Sequence, residues 1–222
     1  MMIGANYTLQ DELCWIAVVI YPQHWKRLRS KQAMSALTIL IIRHAEKEDK
    51  SWPGPGLTPD GSRDKQSLVI RGWQRTGSWS ALLGAGLGGD DFPQPAAIYA
   101  ADPNATTGDE PSQRPFETIT PLAARLSLTP VTTYAIGQEL QLAAEIVGLT
   151  GVVLVCWEHK AIGGAILPAI ASGQSLPGMP KKWDGTRFDV VLRFDRSIPG
   201  APWSFRQLFP RLLSGDSDTP MR

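Results

Sequence analysis

The chain has 222 residues and a mass of 24.2 kDa, enough for one domain with a substantial core, and 43% hydrophobic against 19% charged residues excludes a disordered polypeptide. Lys and Arg number 22 and Asp and Glu 21, and a net charge of +1 removes the electrostatic case for a dedicated nucleic-acid binder. Two cysteines, Cys14 and Cys156, cannot build a disulfide framework or a cysteine zinc site, and none of the three histidines stands at i, i+3 or i, i+4 from another.

Residues 1–33 read as an N-terminal extension. Its apolar run Leu13–Tyr21 is nine residues, well short of the roughly 20 that cross a bilayer. Acidic Asp11 and Glu12 precede the run and basic Lys26, Arg27, Arg29 and Lys31 follow it, the reverse of a secretory signal. The expectation is a poorly ordered arm, or a strand or helix added to the domain, with a membrane- or partner-docking arm as the alternative. A single domain is expected over 34–213, followed by a frayed tail over 214–222.

From Leu37 onward, strand and helix patterns alternate. Leu37–Ile42 and Val152–Trp157 are continuous apolar runs rich in β-branched residues, as strands buried on both faces require. Ala97–Ala101 and Val131–Tyr134 are weaker strands, and Phe188–Phe194 and Ser204–Leu208 close the sheet. Helical periodicity covers Ser67–Leu83, a segment around Thr120–Leu128, Glu139–Val147, and Ala161–Ser172 with a bend at Pro168. This order predicts an α/β fold, a three-layer α/β/α sandwich on a mainly parallel sheet. Gly (21 residues) and Pro (18) gather in long loops at Glu46–Gln66, Asp102–Gln113 and Gly173–Thr186.

In such a sheet ligands gather at the carboxyl ends of the strands. There the first strand ends in Arg43-His44-Ala45-Glu46 and the other strong one in Glu158-His159. A buried core histidine is the ordinary reading of either one alone; two at strand ends beside an arginine point to chemistry. A neutral imidazole can attack phosphorus, and arginines and a second histidine can neutralise the phosphoryl oxygens without a metal. A carboxylic acid must then protonate the leaving alcohol.

Arg43-His44-Ala45-Glu46-Lys47 resembles the Arg-His-Gly-Glu signature of the histidine phosphatase superfamily, the phosphoglycerate-mutase-like fold, in its short Arg-His-Ala-Glu-Lys branch. The later landmarks follow in that family's order. Leu68–Arg75 resembles its first-helix segment, Ser112-Gln-Arg114-Pro-Phe-Glu-Thr118 its Ser-x-Arg-x-x-x-Thr element, and Leu154–His159 the strand delivering the second histidine. The resemblance implies that His44 becomes phosphorylated and that Arg43, Arg114 and His159 form the phosphate pocket. Ala45 stands where glycine is usual, and Lys47 where mutase-like members often carry serine. The general acid stays open among Glu139, Glu158 and Glu117: Glu139 fits a helix N-terminus equally well, Glu158 is expected to point away from His159 as a strand neighbour, and Glu117 reads equally as a helix-face charge.

Gly84-Ala-Gly86-Leu-Gly88-Gly89 follows a helix and precedes a strand, the wrong context for dinucleotide binding. Cys156 reads as an inert core thiol, and His24 receives no role. The expected protein is therefore a metal-independent phosphatase without cofactor, located in the cytoplasm. It would act on a small phosphorylated substrate or a phosphoprotein, with no nucleic-acid partner and no membrane span. The alternatives are a catalytically silent phosphate-binding or interaction module on the same fold, and a phosphoglycerate-type mutase.

Overall fold

The computed structural model describes residues 36–105 and 112–222. The expected extension at 1–33, with Cys14 and His24, lies outside these residues, as does part of the loop at 102–113.

Among the described residues, five strands form one sheet: β1 (Leu37–Arg43), β2 (Ala97–Ala100), β3 (Gly151–Trp157), β4 (Val191–Arg196) and β5 (Ser204–Leu208), in the order β2-β3-β1-β4-β5. β3 pairs in parallel with both β1 and β2, whereas β4 is antiparallel to β1 and β5. Four strands thus share one direction, and the reversed β4 makes the sheet mixed. A short connection suffices between β4 and β5 because antiparallel neighbours need no crossover.

Side chains alternate across this sheet into two cores. Leu37, Ile39 and Ile41 join Val153, Val155 and Trp157 on one face; Leu40 and Ile42 join Leu154 and Cys156 on the other. Both faces are covered, so apolar residues are needed at odd and even positions alike, which is why the two runs are unbroken. Helices α1 (Ile70–Gly84) and α2 (Arg114–Leu126) cover the second face with Trp79, Leu83, Ile119 and Leu122. The first face is covered by α3 (Glu139–Ile146) and by a composite helix. The latter consists of a single turn, α4 (His159–Ala161), a π-helical turn at Ile162–Ile166, and α5 (Leu167–Ala171). The result is the three-layer α/β/α arrangement.

Several boundaries differ from the sequence reading. α2 begins at Arg114 rather than near Thr120, since Pro115 occupies the first turn, where its missing N–H is no loss. The bend expected at Pro168 is a widened turn instead: the π-helical segment just before it accommodates a ring that an α-helix cannot. Val131–Tyr134 makes only one bridge, Val131 to Tyr99, and is not a sheet strand. The segment from Ser214 is held down rather than frayed. Met221 is buried, its N–H donates to Gln207 Oε1 (2.9 Å), and Gln207 Nε2 donates back to its carbonyl (2.8 Å). Backbone groups that find partners in this way do not fray.

Candidate active site

Strand register creates the site. Arg43 at the end of β1 stands opposite Trp157 at the end of β3, and the His44 N–H continues the ladder by donating to the Trp157 carbonyl (3.1 Å). Parallel neighbours stopping at the same level release the next residues, His44 and Glu158-His159, at one edge of the sheet. His44, Arg114 and His159 line a single cleft of about 360 Å³ together with Lys47, Ser112, Ile136, Gly137, Glu139, Glu158 and Lys160.

His44 is buried, and its Nδ1 lies 2.7 Å from the carbonyl oxygen of Ala45. A carbonyl can only accept, so Nδ1 carries the proton and Nε2 keeps the lone pair. Burial first, then the positive Arg43 and Arg114, hold this imidazole well below the ordinary histidine range, so it is neutral at pH 7.

The element Ser112–Thr118 acts as a positioning unit. Ser112 Oγ accepts from Arg114 Nε (3.0 Å), fixing the guanidinium in the cleft. One helical turn later, the Thr118 hydroxyl donates to the Arg114 carbonyl (2.7 Å) and accepts the Ala45 N–H (2.8 Å). The four-residue spacing from Arg114 to Thr118 is the spacing of one α-helical turn, which lets a single hydroxyl lock the arginine's helix to the histidine's loop.

Arg43 stands behind the cleft and is not among its lining residues. Its guanidinium lies 3.8 Å from the centroid of the Phe188 ring, and one terminal nitrogen donates to the carbonyls of Gly185 (2.6 Å) and Arg187 (3.4 Å). Its Nε is buried and has no hydrogen-bond partner among the described residues. Burial pushes its pKa down to about 10, against the opposing pull of Glu158 and Glu46, so it remains charged at neutral pH. The loop carrying Gly185 also covers His159: a Cβ at Gly185 would stand 3.5 Å from His159 Nε2.

The three carboxylates separate clearly. Glu117 is buried away from the cleft, where its Oε2 accepts the Leu68 N–H (2.9 Å). Glu158 lies in the cleft, contrary to the strand-parity expectation, because β3 ends at Trp157 and Glu158 is the N-cap of α4, accepting the Ala161 N–H (2.9 Å). Its Oε1 is 2.6 Å from His159 Nδ1, without the alignment of a hydrogen bond. Burial alone would raise its pKa, but the contact with His159 and the N–H groups of Ala161 and Lys160 outweigh this and bring it down to about 2. Glu139, at the start of α3, takes both its donors on one oxygen: the Gly137 N–H and the indole of Trp157, each at 2.9 Å.

Residues missed in the sequence complete the wall. Lys47 and Lys160 add positive charge to the cleft, and burial together with Arg114 and Arg43 lowers the pKa of Lys47. The direct succession of Lys47 on the His44 loop was the available signal; no spacing rule marks Lys160. Cys156 is fully buried, and burial raises its thiol pKa, as expected of an inert core residue. Among the described residues, no cluster of His, Cys, Asp and Glu could hold a metal ion, and no helix is long and apolar enough to cross a membrane.

No family model matches this sequence, and no curated protein matches it. Several solved structures resemble this chain in fold. A mycobacterial glucosyl-3-phosphoglycerate phosphatase aligns over 78% of this chain and 98% of its own at 13% identity, with a TM-score of 0.47. The phosphoglycerate mutase of Bacillus anthracis aligns over 80% and 95% at 11% identity, with a TM-score of 0.46. YhfR of Bacillus stearothermophilus aligns over 80% and 98% at 15% identity, with a TM-score of 0.44.

Proposed function

We propose that this protein is a phosphatase that hydrolyses a phosphate monoester through a phosphohistidine at His44. The observation that carries the reading is the fixed tautomer: Nδ1 of His44 is committed to the Ala45 carbonyl, and the neutral ring lies in a cleft it shares with Arg114 and His159. Nε2 attacks phosphorus, forming an N–P bond as the ester P–O bond breaks. Arg114, His159 and, from behind, Arg43 stabilise the charge on the three equatorial oxygens.

The general acid is Glu139. Glu117 does not line the cleft and accepts the Leu68 N–H, and Glu158 is held ionised by its donors, whereas Glu139 lines the cleft and its Oε2 has no hydrogen-bond partner among the described residues. It gives its proton to the leaving oxygen. It then takes a proton from the water that attacks the phosphohistidine, so that orthophosphate leaves and the free imidazole returns.

Quenching the protein with a phosphate ester labelled on phosphorus tests the reading. A base-stable, acid-labile label is expected on the wild type and absent from His44→Ala. A label that persists in His44→Ala overturns the assignment, and binding of orthophosphate without turnover of any ester supports the silent module instead.

A further inference from the structure

Asp216 touches no residue of the cleft, yet it joins a buried network that reaches the residues flanking His44. Both of its carboxylate oxygens accept from Arg75 (2.8 and 3.0 Å), a residue 2% exposed. Arg75 also donates through Nε and a terminal nitrogen to Glu46, at 2.8 to 3.0 Å, and Glu46 lies two positions after His44 in the chain. Arg71 strengthens the cluster: it lies 3.4 Å from Glu46, donates to the Ser214 carbonyl and stacks on Trp52. Two guanidiniums and two carboxylates balance here, so removing one charge leaves a buried cation short of a partner.

The same segment reaches the opposite flank. Ser217 donates its N–H to Asp189 (2.7 Å), and the Ser217 and Thr219 carbonyls accept from Arg187 (2.9 and 2.6 Å). The Arg187 carbonyl in turn accepts from Arg43, the residue before His44. Residues 216–219 therefore brace the phosphate cradle from both sides, through Glu46 after His44 and Arg43 before it. A misplacement of about 1 Å at such a centre can cost a hundredfold in rate.

We infer that the segment 216–219 is a positioning brace for the His44 phosphate cradle, with Asp216 as its anchoring residue. The inference rests on the phosphatase reading of that site. The test compares full-length wild type, Asp216→Asn, Asp216→Glu and Asp218→Asn. Asp218 lies in the same segment, but among the described residues its carboxylate meets only exposed Arg211 (3.7 Å). Turnover of p-nitrophenyl phosphate, rapid-quench formation of the phosphoenzyme and calorimetric binding of orthophosphate are measured well below each variant's melting temperature.

Asp216→Asn should slow phosphoenzyme formation about tenfold or more and lower kcat more than it changes KM. Asp216→Glu should recover part of the loss, and Asp218→Asn should match wild type. Full rates of phosphoenzyme formation in Asp216→Asn, even with a lowered melting temperature, would overturn the brace while leaving the phosphatase reading intact. A wild type that turns over no ester, whether or not it binds orthophosphate, overturns that reading and the brace with it. If Asp216→Asn fails to fold, the decision passes to Asp216→Glu. An intermediate rate with unchanged stability supports the brace, and a wild-type rate overturns it.

Discussion

Ala45 and Thr118, 73 positions apart in the chain, are joined by a 2.8 Å hydrogen bond from the Ala45 N–H to the threonine hydroxyl. That bond ties the loop of one cleft residue, His44, to the helix of another, because the same hydroxyl donates to the carbonyl of Arg114.

Thr118→Val keeps the shape but leaves the buried Ala45 N–H without an acceptor. The expected loss is roughly 1–3 kcal/mol of unfolding free energy, measured by urea denaturation. It should be accompanied by a lower kcat/KM, as the His44 loop and Arg114 lose their common tether. Unchanged values of both would remove the hydroxyl from the account.

Gly72 lies where a Cβ would stand 2.5 Å from the Glu46 carbonyl oxygen and 3.1 Å from its amide nitrogen. Glycine at this turn of α1 permits the close approach that lets Arg75 reach Glu46. Gly72→Ala should therefore destabilise by roughly 1–3 kcal/mol despite alanine's better helix propensity. Thermal and denaturant unfolding of the variant measure this directly, and a stabilised variant would contradict it.

Glu139→Gln should depend on the leaving group. With alkyl phosphates, which need a proton on departure, kcat is expected to fall about 10²- to 10⁴-fold. With p-nitrophenyl phosphate, whose leaving phenolate needs little help, the fall should be much smaller. Equal losses on both substrates would assign Glu139 to structure, through its bonds to Trp157 and Gly137.

The pH dependence follows from the direction of the His44 shift. Its folded-state pKa lies well below 6.5, so the unfolded chain binds the extra proton first as the pH drops. Stability from this group is therefore complete above about pH 6.5, and is lost progressively as the pH falls below it. In nitrogen NMR of the histidine rings, one imidazole should remain the neutral Nδ1–H tautomer at pH 6, and that signal should vanish in His44→Ala. An ordinary titration near 6.5 at this ring would contradict the buried, doubly flanked environment.

The layered architecture and the two strand ends that converge on one cleft were legible in the amino-acid pattern. Unbroken apolar runs mean strands covered on both faces, and the residues at their carboxyl ends, His44 and His159, are then brought to one edge of the sheet. The pattern also marked Arg114 and Thr118, since their four-residue spacing is a local property of one helix. Tertiary structure alone decided the reversed direction of β4, the inward turn of Glu158 and the partnership of Glu46, Arg75 and Asp216. Strand direction depends on long-range pairing, and the strand-parity rule fails for Glu158 because β3 gives way to a helix cap at that residue. Asp216 reaches Arg75 across 141 positions, and no periodicity connects groups so far apart in the chain. Local patterns fix which side chains can share a face; only the packed chain fixes which charges meet.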